Sequence, residues 1–424
     1  MAKNSIKRRM VIVGGGFAGL NLAKDLDKNL WEVTIIDRNN YHSFPPLFYQ
    51  VASSGLEPSS ISFPLRREMR KIRGCRYNMG EVLCVDSRRK VVVTDLEELP
   101  YDVLVIATGT TNNFFGMDGL RDKVLTIKST SEAIRCHNEI LDRLERASLC
   151  RDAERRRSLL TFIIVGGGPT GVEIAGALGE MKRFIVPREY PSIDRDEVRV
   201  VLAEGSGRLL GAMSEASSAD ALEALGQLMV DVKLGKVMKS YDDGIVRFSD
   251  GEEIATDSVI WTAGITGSTF EIKGTDVKPG PGGRWIVDSF NRIEGADDIF
   301  ALGDVCLHTS EEYPKGHPQL AQVAIQQAHT LARNMNSGQF SIPFSYNNKG
   351  TMATVGRNRA VVDLGRVHIK GRFAWIVWMG VHLVSLLGMR NKAVVLINWM
   401  WGYFTFSSGL RLLLRQSPYP KIQK

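Results

Sequence analysis

Two glycine clusters have the spacing that cradles a phosphate. Gly14-Gly15-Gly16-Phe17-Ala18-Gly19 follows the apolar run 10–13, and Gly166-Gly167-Gly168-Pro169-Thr170-Gly171 follows the apolar run 160–165. In each cluster the first glycine permits a tight turn, the third lets the backbone approach a pyrophosphate, and the last allows close helix packing. The N-terminus of the following helix adds N–H groups and the positive end of its dipole. Acids stand where ribose hydroxyls need acceptors: Asp37 closes the run 31–36 and Glu204 closes the run 198–203. A single glycine cluster also fits an ordinary turn; strand, helix, second strand and terminal acid in that order point to dinucleotide binding.

The elements that position these residues are duplicated. Segments 90–109 and 245–264 share one pattern, a β-rich run, an acidic turn and a second apolar strand, ending in Ala107-Thr108-Gly109 and Ala263-Gly264. The interval from first to last glycine is nearly equal in the two copies, as an internal duplication requires. The expected fold is therefore α/β, with two Rossmann-like units and helices at 20–26 and 172–181. Residues 183–197 contain Pro187 and Pro191 and are expected to form an inserted surface loop. A further short strand at 298–302 delivers Asp304 at a glycine turn, where the alternative role is a turn or helix cap.

This order of motifs resembles the two-dinucleotide-binding-domain flavoproteins, which have a glutathione-reductase-like fold. The resemblance implies FAD on the first unit, held by Gly14, Gly16, Phe17, Ala18, Gly19, Asp37, Arg38, Val82, Ala107, Thr108, Gly109, Asp304, Ala321 and Gln322. It implies NADH on the second, held by Gly166, Gly168, Pro169, Thr170, Gly171, Glu173, Glu204, Ala263 and Gly264. Disulfide reductases of this family need a redox-active cysteine pair, and Cys75, Cys84, Cys136, Cys150 and Cys306 are not paired in sequence. Sulfide:quinone oxidoreductases also depend on cysteines and lack a complete second nicotinamide motif, so they form the alternative. A non-catalytic redox sensor on the same fold is the alternative from another class.

Within the family the chain is most similar to type II NADH:quinone oxidoreductases. Ala321-Gln322-Val323-Ala324-Ile325-Gln326, after Pro318, resembles the A-Q-x-A-x-Q signature beside their quinone pocket, and Lys349-Gly350-Thr351-Met352-Ala353 with Gly356 resembles the next landmark. The resemblance implies that Gln322, Gln326 and Lys349 face the quinone and that Gln322 lies between flavin and quinone. An amide can hydrogen-bond a quinone carbonyl without titrating. Some relatives carry histidine at the place of Ile325, which removes any proton role there. Glu173 resembles a glutamate near the nicotinamide ring. It acts as a proton donor with a raised pKa or as an acid favouring the first helical turn. Lys349 faces quinone or reduced flavin, or is a solvated loop lysine. The implied mechanism is ping-pong, hydride from NADH to flavin and then two electrons to quinone, without proton pumping.

Composition fits this expectation. The 424 residues, 44% apolar, suffice for two or three domains: an FAD domain at 1–118 and 288–350, an NADH domain at 119–287 and a C-terminal membrane-anchoring region at 351–424. Residues 364–424 hold nine Lys/Arg, no Asp or Glu, and four of the seven tryptophans, leaving 45 basic against 47 acidic residues elsewhere. A basic, tryptophan-rich tail fits an anionic lipid surface better than nucleic acid. The apolar runs 373–388 and 393–414 are expected to lie as helices in the membrane surface, with Asn398, Thr405, Ser408, Arg411 and Arg415 on one polar stripe. A buried helical pair, a homodimer interface and a transmembrane hairpin are the alternatives. The early apolar run stops at Gly14, too short for a signal-peptide core. With no metal-ligand spacing and no disulfide pattern, the expected location is the cytoplasmic face of the plasma membrane, beside the quinone pool.

Overall fold

A computed structural model describes residues 7–405 and 410–413. The chain forms two compact units, each assembled from separate stretches. The first comprises Met1–Ser43, Ser62–Asn112 and Ile265–Lys349. Its parallel sheet runs in the order Ile299–Ala301, Val103–Ile106, Arg8–Val13, Trp31–Asp37, Cys75–Met79. Met10, Val11, Ile12 and Val13 are all buried, as expected for a central strand covered on both faces. The helix Phe17–Asp25 follows that strand and packs beside the helix Ala321–Ser337.

The first unit extends further than the spacing suggested. Ile265–Gly267 pairs antiparallel with Thr110–Asn112, and Glu271–Lys273 pairs parallel with Val82–Asp86. The chain therefore re-enters this unit at Ile265 rather than at 288.

The second unit comprises Phe44–Ile61, Asn113–Gly264 and Gly350–Lys424. Its parallel sheet has the order Leu125–Thr126, Ser258–Trp261, Thr161–Val165, Arg199–Glu204, Val230–Leu234. The strand preceding each glycine cluster is thus central in its own sheet. The expected loop at 183–197 is largely helical. Pro169–Glu180 continues as a π-helical turn, Met181–Ile185, and a short helix, Val186–Glu189. Pro187 stands in the first turn of that last helix, directly after the π-helical turn, where a missing N–H is tolerated.

The C-terminal residues belong to this unit instead of standing apart. Thr351–Thr354, Ala360–Leu364 and Val367–Lys370 form an antiparallel sheet against which the helix Gly371–Ser385 packs. A Cβ on Gly176 would lie 2.7 Å from the Gly356 nitrogen, so helix and hairpin meet only because that position is glycine. Asp363 accepts from the Ser214 N–H at 2.7 Å, and His368 bridges Asp363 and Asp220. The last helix among the described residues is Met389–Thr405, which carries Asn398 and Thr405 of the expected polar stripe. Arg411 lies beyond the helix, paired with Glu189, and Ser408 and Arg415 fall outside the described residues. Among the described residues no helix is long and apolar enough to cross a membrane.

Candidate functional site

In the first unit, Gly14 has φ 110° and a Cβ there would sit 2.2 Å from the Ala107 carbonyl oxygen. The loop is therefore pressed onto the end of the strand Val103–Ile106, where Ala107, Thr108 and Gly109 follow. Gly19 is equally constrained, since a Cβ there would sit 2.0 Å from the Gly14 carbonyl oxygen. Gly16 is different: its φ is an ordinary −74° and a Cβ would meet nothing within 4 Å. Neither conformation nor packing requires glycine there. The open space it leaves in front of the helix N-terminus fits a pyrophosphate approaching the backbone, so the residues present suit a dinucleotide in this unit.

Asp37 completes this cradle. Its carboxylate accepts from the Gly15 N–H at 2.7 Å and the Asn39 N–H at 2.8 Å, and burial pushes its pKa upward. Arg38 beside it is exposed, and Val82 is half-buried at the edge of the apolar core. The Gly303-Asp304 turn converges on the same place, since a Cβ on Gly303 would lie 3.6 Å from the Ala18 Cβ and 3.2 Å from that of Ala324. Gln327, which spacing did not single out, fixes this turn: fully buried, its Oε1 accepts from the Gly303 N–H at 2.7 Å. The only sequence signal was a third glutamine beside Gln326.

The second unit repeats the plan. Gly166 also has φ 110°, with a Cβ 2.6 Å from the Ala263 Cα, and a Cβ on Gly171 would be 1.8 Å from the Gly166 carbonyl. Gly168, at φ −71°, again leaves open space before Pro169 and Thr170 at the helix start. Glu204 accepts from the Gly167 N–H and, at 2.7 Å, from the Ser206 N–H. Gly264 is closed off by Phe115, whose ring would lie 2.6 Å from a Cβ there.

Gln322 and Lys349 are neighbours in the first unit. The Lys349 N–H donates to the Gln322 Oε1 at 3.1 Å, while the lysine side chain is exposed. Gln326, one turn along, donates to the Asn347 carbonyl and accepts from its N–H, each at 2.9 Å. Both glutamines thus tether the loop carrying Lys349 to the helix Ala321–Ser337. Gln326 spends its amide on main chain.

Glu173, in the second unit, is buried on the helix Pro169–Glu180 instead of facing solvent in its first turn. Desolvation pushes its pKa to about 8, opposed by hydrogen bonds from the Thr354 N–H, at 3.4 Å, and the Thr354 side chain. At neutral pH this carboxyl is mostly protonated and able to donate. The five cysteines are free thiols, and burial raises Cys136 and Cys306 to about 12, far from the thiolate form that sulfur redox chemistry uses.

Residues 8–328 match the family model of pyridine nucleotide-disulphide oxidoreductases, and residues 348–405 match the NDH2 C-terminal domain. The chain is 32% identical to the type II NADH:quinone oxidoreductase Ndh of Mycobacterium tuberculosis, over 98% of this chain and 92% of that protein. It is also 32% identical to NdhA of the same organism, over 98% and 91%. Among solved structures, NDH2 of Plasmodium falciparum in complex with NADH matches with a TM-score of 0.88 at 22% identity, covering 96% of this chain and all of that one. The sulfide:quinone oxidoreductase of Aquifex aeolicus matches less well, with a TM-score of 0.72 at 19% identity over 94% of this chain and 95% of that one.

Proposed function

The chain belongs to the type II NADH:quinone oxidoreductases, within the pyridine nucleotide-disulphide oxidoreductase family, and from that premise we propose how its own residues serve NADH oxidation and quinone reduction. The observation that carries the assignment of residues is the repeated loop. Gly16 and Gly168 each leave space that no protein atom needs, and each loop is braced by an acid, Asp37 or Glu204. Bound FAD supplies the hydride acceptor and two-electron store.

Around it, Gly14, Gly16 and Gly19 shape the pyrophosphate site, Asp37 accepts from ribose hydroxyls, and the Gly303-Asp304 turn holds the ribitol and phosphate end. Phe17, Ala18, Ala107, Thr108 and Gly109 line that site, with Arg38 and Val82 at its margin. Gly166, Gly168, Pro169, Thr170 and Gly171 do the same for NADH, with Glu204 on the ribose and Ala263 and Gly264 closing the strand end. Gln322 hydrogen-bonds a quinone carbonyl and orients it, and Ala321 keeps the helix start slim. Lys349 supplies positive charge near the developing quinol oxygen or the reduced cofactor. Gln326 positions the lysine loop. Glu173 gives up a proton when negative charge develops.

The quinone comes from a lipid bilayer. Phe373, Ile376, Val384, Ile397, Met400 and Trp401 are exposed on the last two helices, and Arg372 and Arg390 are exposed near their starts. That combination suits an anionic lipid surface, reached from the cytoplasmic face of the plasma membrane. A second copy of the chain is the other surface that would cover these side chains. Anaerobic spectra test the reaction. Flavin bands must bleach with NADH and return with quinone, and an absence of either step would refute this assignment.

A further inference from the structure

A line of hydrogen bonds runs through the second unit from the last helix to Glu173. The Trp399 Nε1 is 2.8 Å from the Gln50 Oε1, the Gln50 Nε2 is 2.9 Å from the Tyr49 hydroxyl, and that hydroxyl is 2.8 Å from the Thr354 Oγ1. Thr354 then meets Glu173 through both its N–H and its side chain. Tyr49 and Thr354 are buried, and Trp399 is half-buried.

The chemistry of the members fixes the direction of every bond once Glu173 is ionised. An indole N–H only donates, so it must meet the oxygen of Gln50, and this settles which way that amide faces. The amide nitrogen only donates, so Tyr49 receives on its oxygen and has its own proton to give. An ionised Glu173 can only accept, so the Thr354 hydroxyl gives its proton to the carboxylate and receives the Tyr49 proton on its own oxygen. Every donor in the line aims at the carboxyl.

We propose that Trp399 is a positioning residue for the reaction: through Gln50, Tyr49 and Thr354 it orients a row of donors at Glu173 and so sets how readily that carboxyl releases its proton. This rests on the reading of Glu173 as the proton donor. Donors aimed at a carboxylate stabilise its charged form and work against burial. Tyr49 also feels the charge of Glu180. Among the elements packed around this line, Glu180 is engaged by Arg357, with Arg359 nearby, and Asp220 and Asp363 are engaged by His368. His382, stacked on Trp378, is held neutral by burial, at about 4.

The test is an infrared titration of the FAD-loaded full chain, with the Glu173 carboxyl band identified by its loss in Glu173→Gln. Trp399→Phe keeps an aromatic ring beside Trp378 while removing the indole N–H and part of the ring system, and its circular dichroism and Tm check that the fold is kept. It should raise the Glu173 pKa by roughly half a unit or more, as should Tyr49→Phe and Thr354→Val. Trp401→Phe, on the same helix and exposed, should leave it in place. The pH profile of quinone reduction should move with the band. A Trp399→Phe titration that coincides with wild type while Thr354→Val shifts would overturn the proposal. If Glu173→Gln left the pH profile of turnover unchanged, the role of Glu173 in the reaction would fall, while the infrared band would still decide whether Trp399 acts on it.

Discussion

Glu204 accepts a hydrogen bond from the Gly167 N–H at 2.5 Å, the counterpart of the bond from Gly15 to Asp37. The carboxylate is thereby fixed at the end of its strand, where the proposed reading puts an adenosine ribose. A 2′-phosphate there would be repelled, so NADH is preferred over NADPH. Arg208 softens this only slightly, because its guanidinium donates to the Gly211 carbonyl. Glu204→Gln retains an acceptor for the loop and removes the charge. Its NADPH efficiency relative to NADH should rise about tenfold, the equivalent of roughly 1.4 kcal/mol. Equal efficiency with both coenzymes in the wild type would contradict the assignment.

Gln322 holds the Lys349 main chain while standing at the start of its helix. Gln322→Ala removes the amide proposed to orient quinone and also releases the Lys349 main chain. Stopped-flow reoxidation of reduced flavin by quinone should slow by about 10- to 100-fold, the loss of one strong hydrogen bond, while reduction by NADH stays near the wild-type rate. The reverse pattern would move the quinone site elsewhere.

What the sequence disclosed and what it hid differ in range. Each glycine cluster and its acid lie within one strand–helix–strand stretch, so the tight turns at Gly14 and Gly166 and the pairing of each loop with Asp37 or Glu204 are legible from spacing alone. Gln50 and Trp399 lie 349 positions apart. Nothing local marks such a pair, and the same holds for Thr354 beside Glu173. Pro187 misled because proline is a breaker inside a helix but neutral at a helix start, and the π-helical turn that precedes it has no sequence signature. The tail's tryptophans suggest lipid and hence a separate region. Yet Trp378 is 1% exposed and packs beside Tyr49 and His382.

Glu173 makes stability depend on pH in an unusual direction. Its carboxyl titrates at about 8 in the fold against an ordinary 4.5, so the folded state holds the proton more tightly than the unfolded chain. Stability is fully present below about pH 4.5 as far as this group is concerned. It falls as pH rises toward 8 because the unfolded state alone ionises across that window. Glu173→Gln should abolish that slope and, at pH 8, gain on the order of a few kcal/mol, seen as a higher Tm. A wild-type Tm that does not fall between pH 5 and pH 8 relative to Glu173→Gln would show that the carboxyl is not held neutral.

The helices Gly371–Ser385 and Met389–Thr405 divide their apolar residues between two surroundings, and the division designs the membrane test. Ala374, Trp378, Leu386 and Val395 are buried within the second unit, and Asn391 donates to the Ser59 and Ser60 carbonyls. Deleting the tail would strip this packing and confuse anchoring with folding. Substituting exposed positions avoids that. Ile376 and Ile397 are 56% and 62% exposed, so Ile376→Glu with Ile397→Glu leaves the core intact while placing charge where lipid would sit. Each isoleucine buried in lipid contributes roughly 1.5–3 kcal/mol, and an introduced carboxylate also repels anionic headgroups. Wild-type protein should therefore sediment with anionic liposomes at low salt and partly release as salt rises, and the double variant should stay in the supernatant. Turnover with a water-soluble acceptor should be equal in the two, while turnover with long-chain quinone in the liposomes should drop at least about tenfold in the variant. A wild-type chain that stays in the supernatant, with the double variant losing instead a dimer seen by sedimentation, would assign the exposed face to a second copy of the chain.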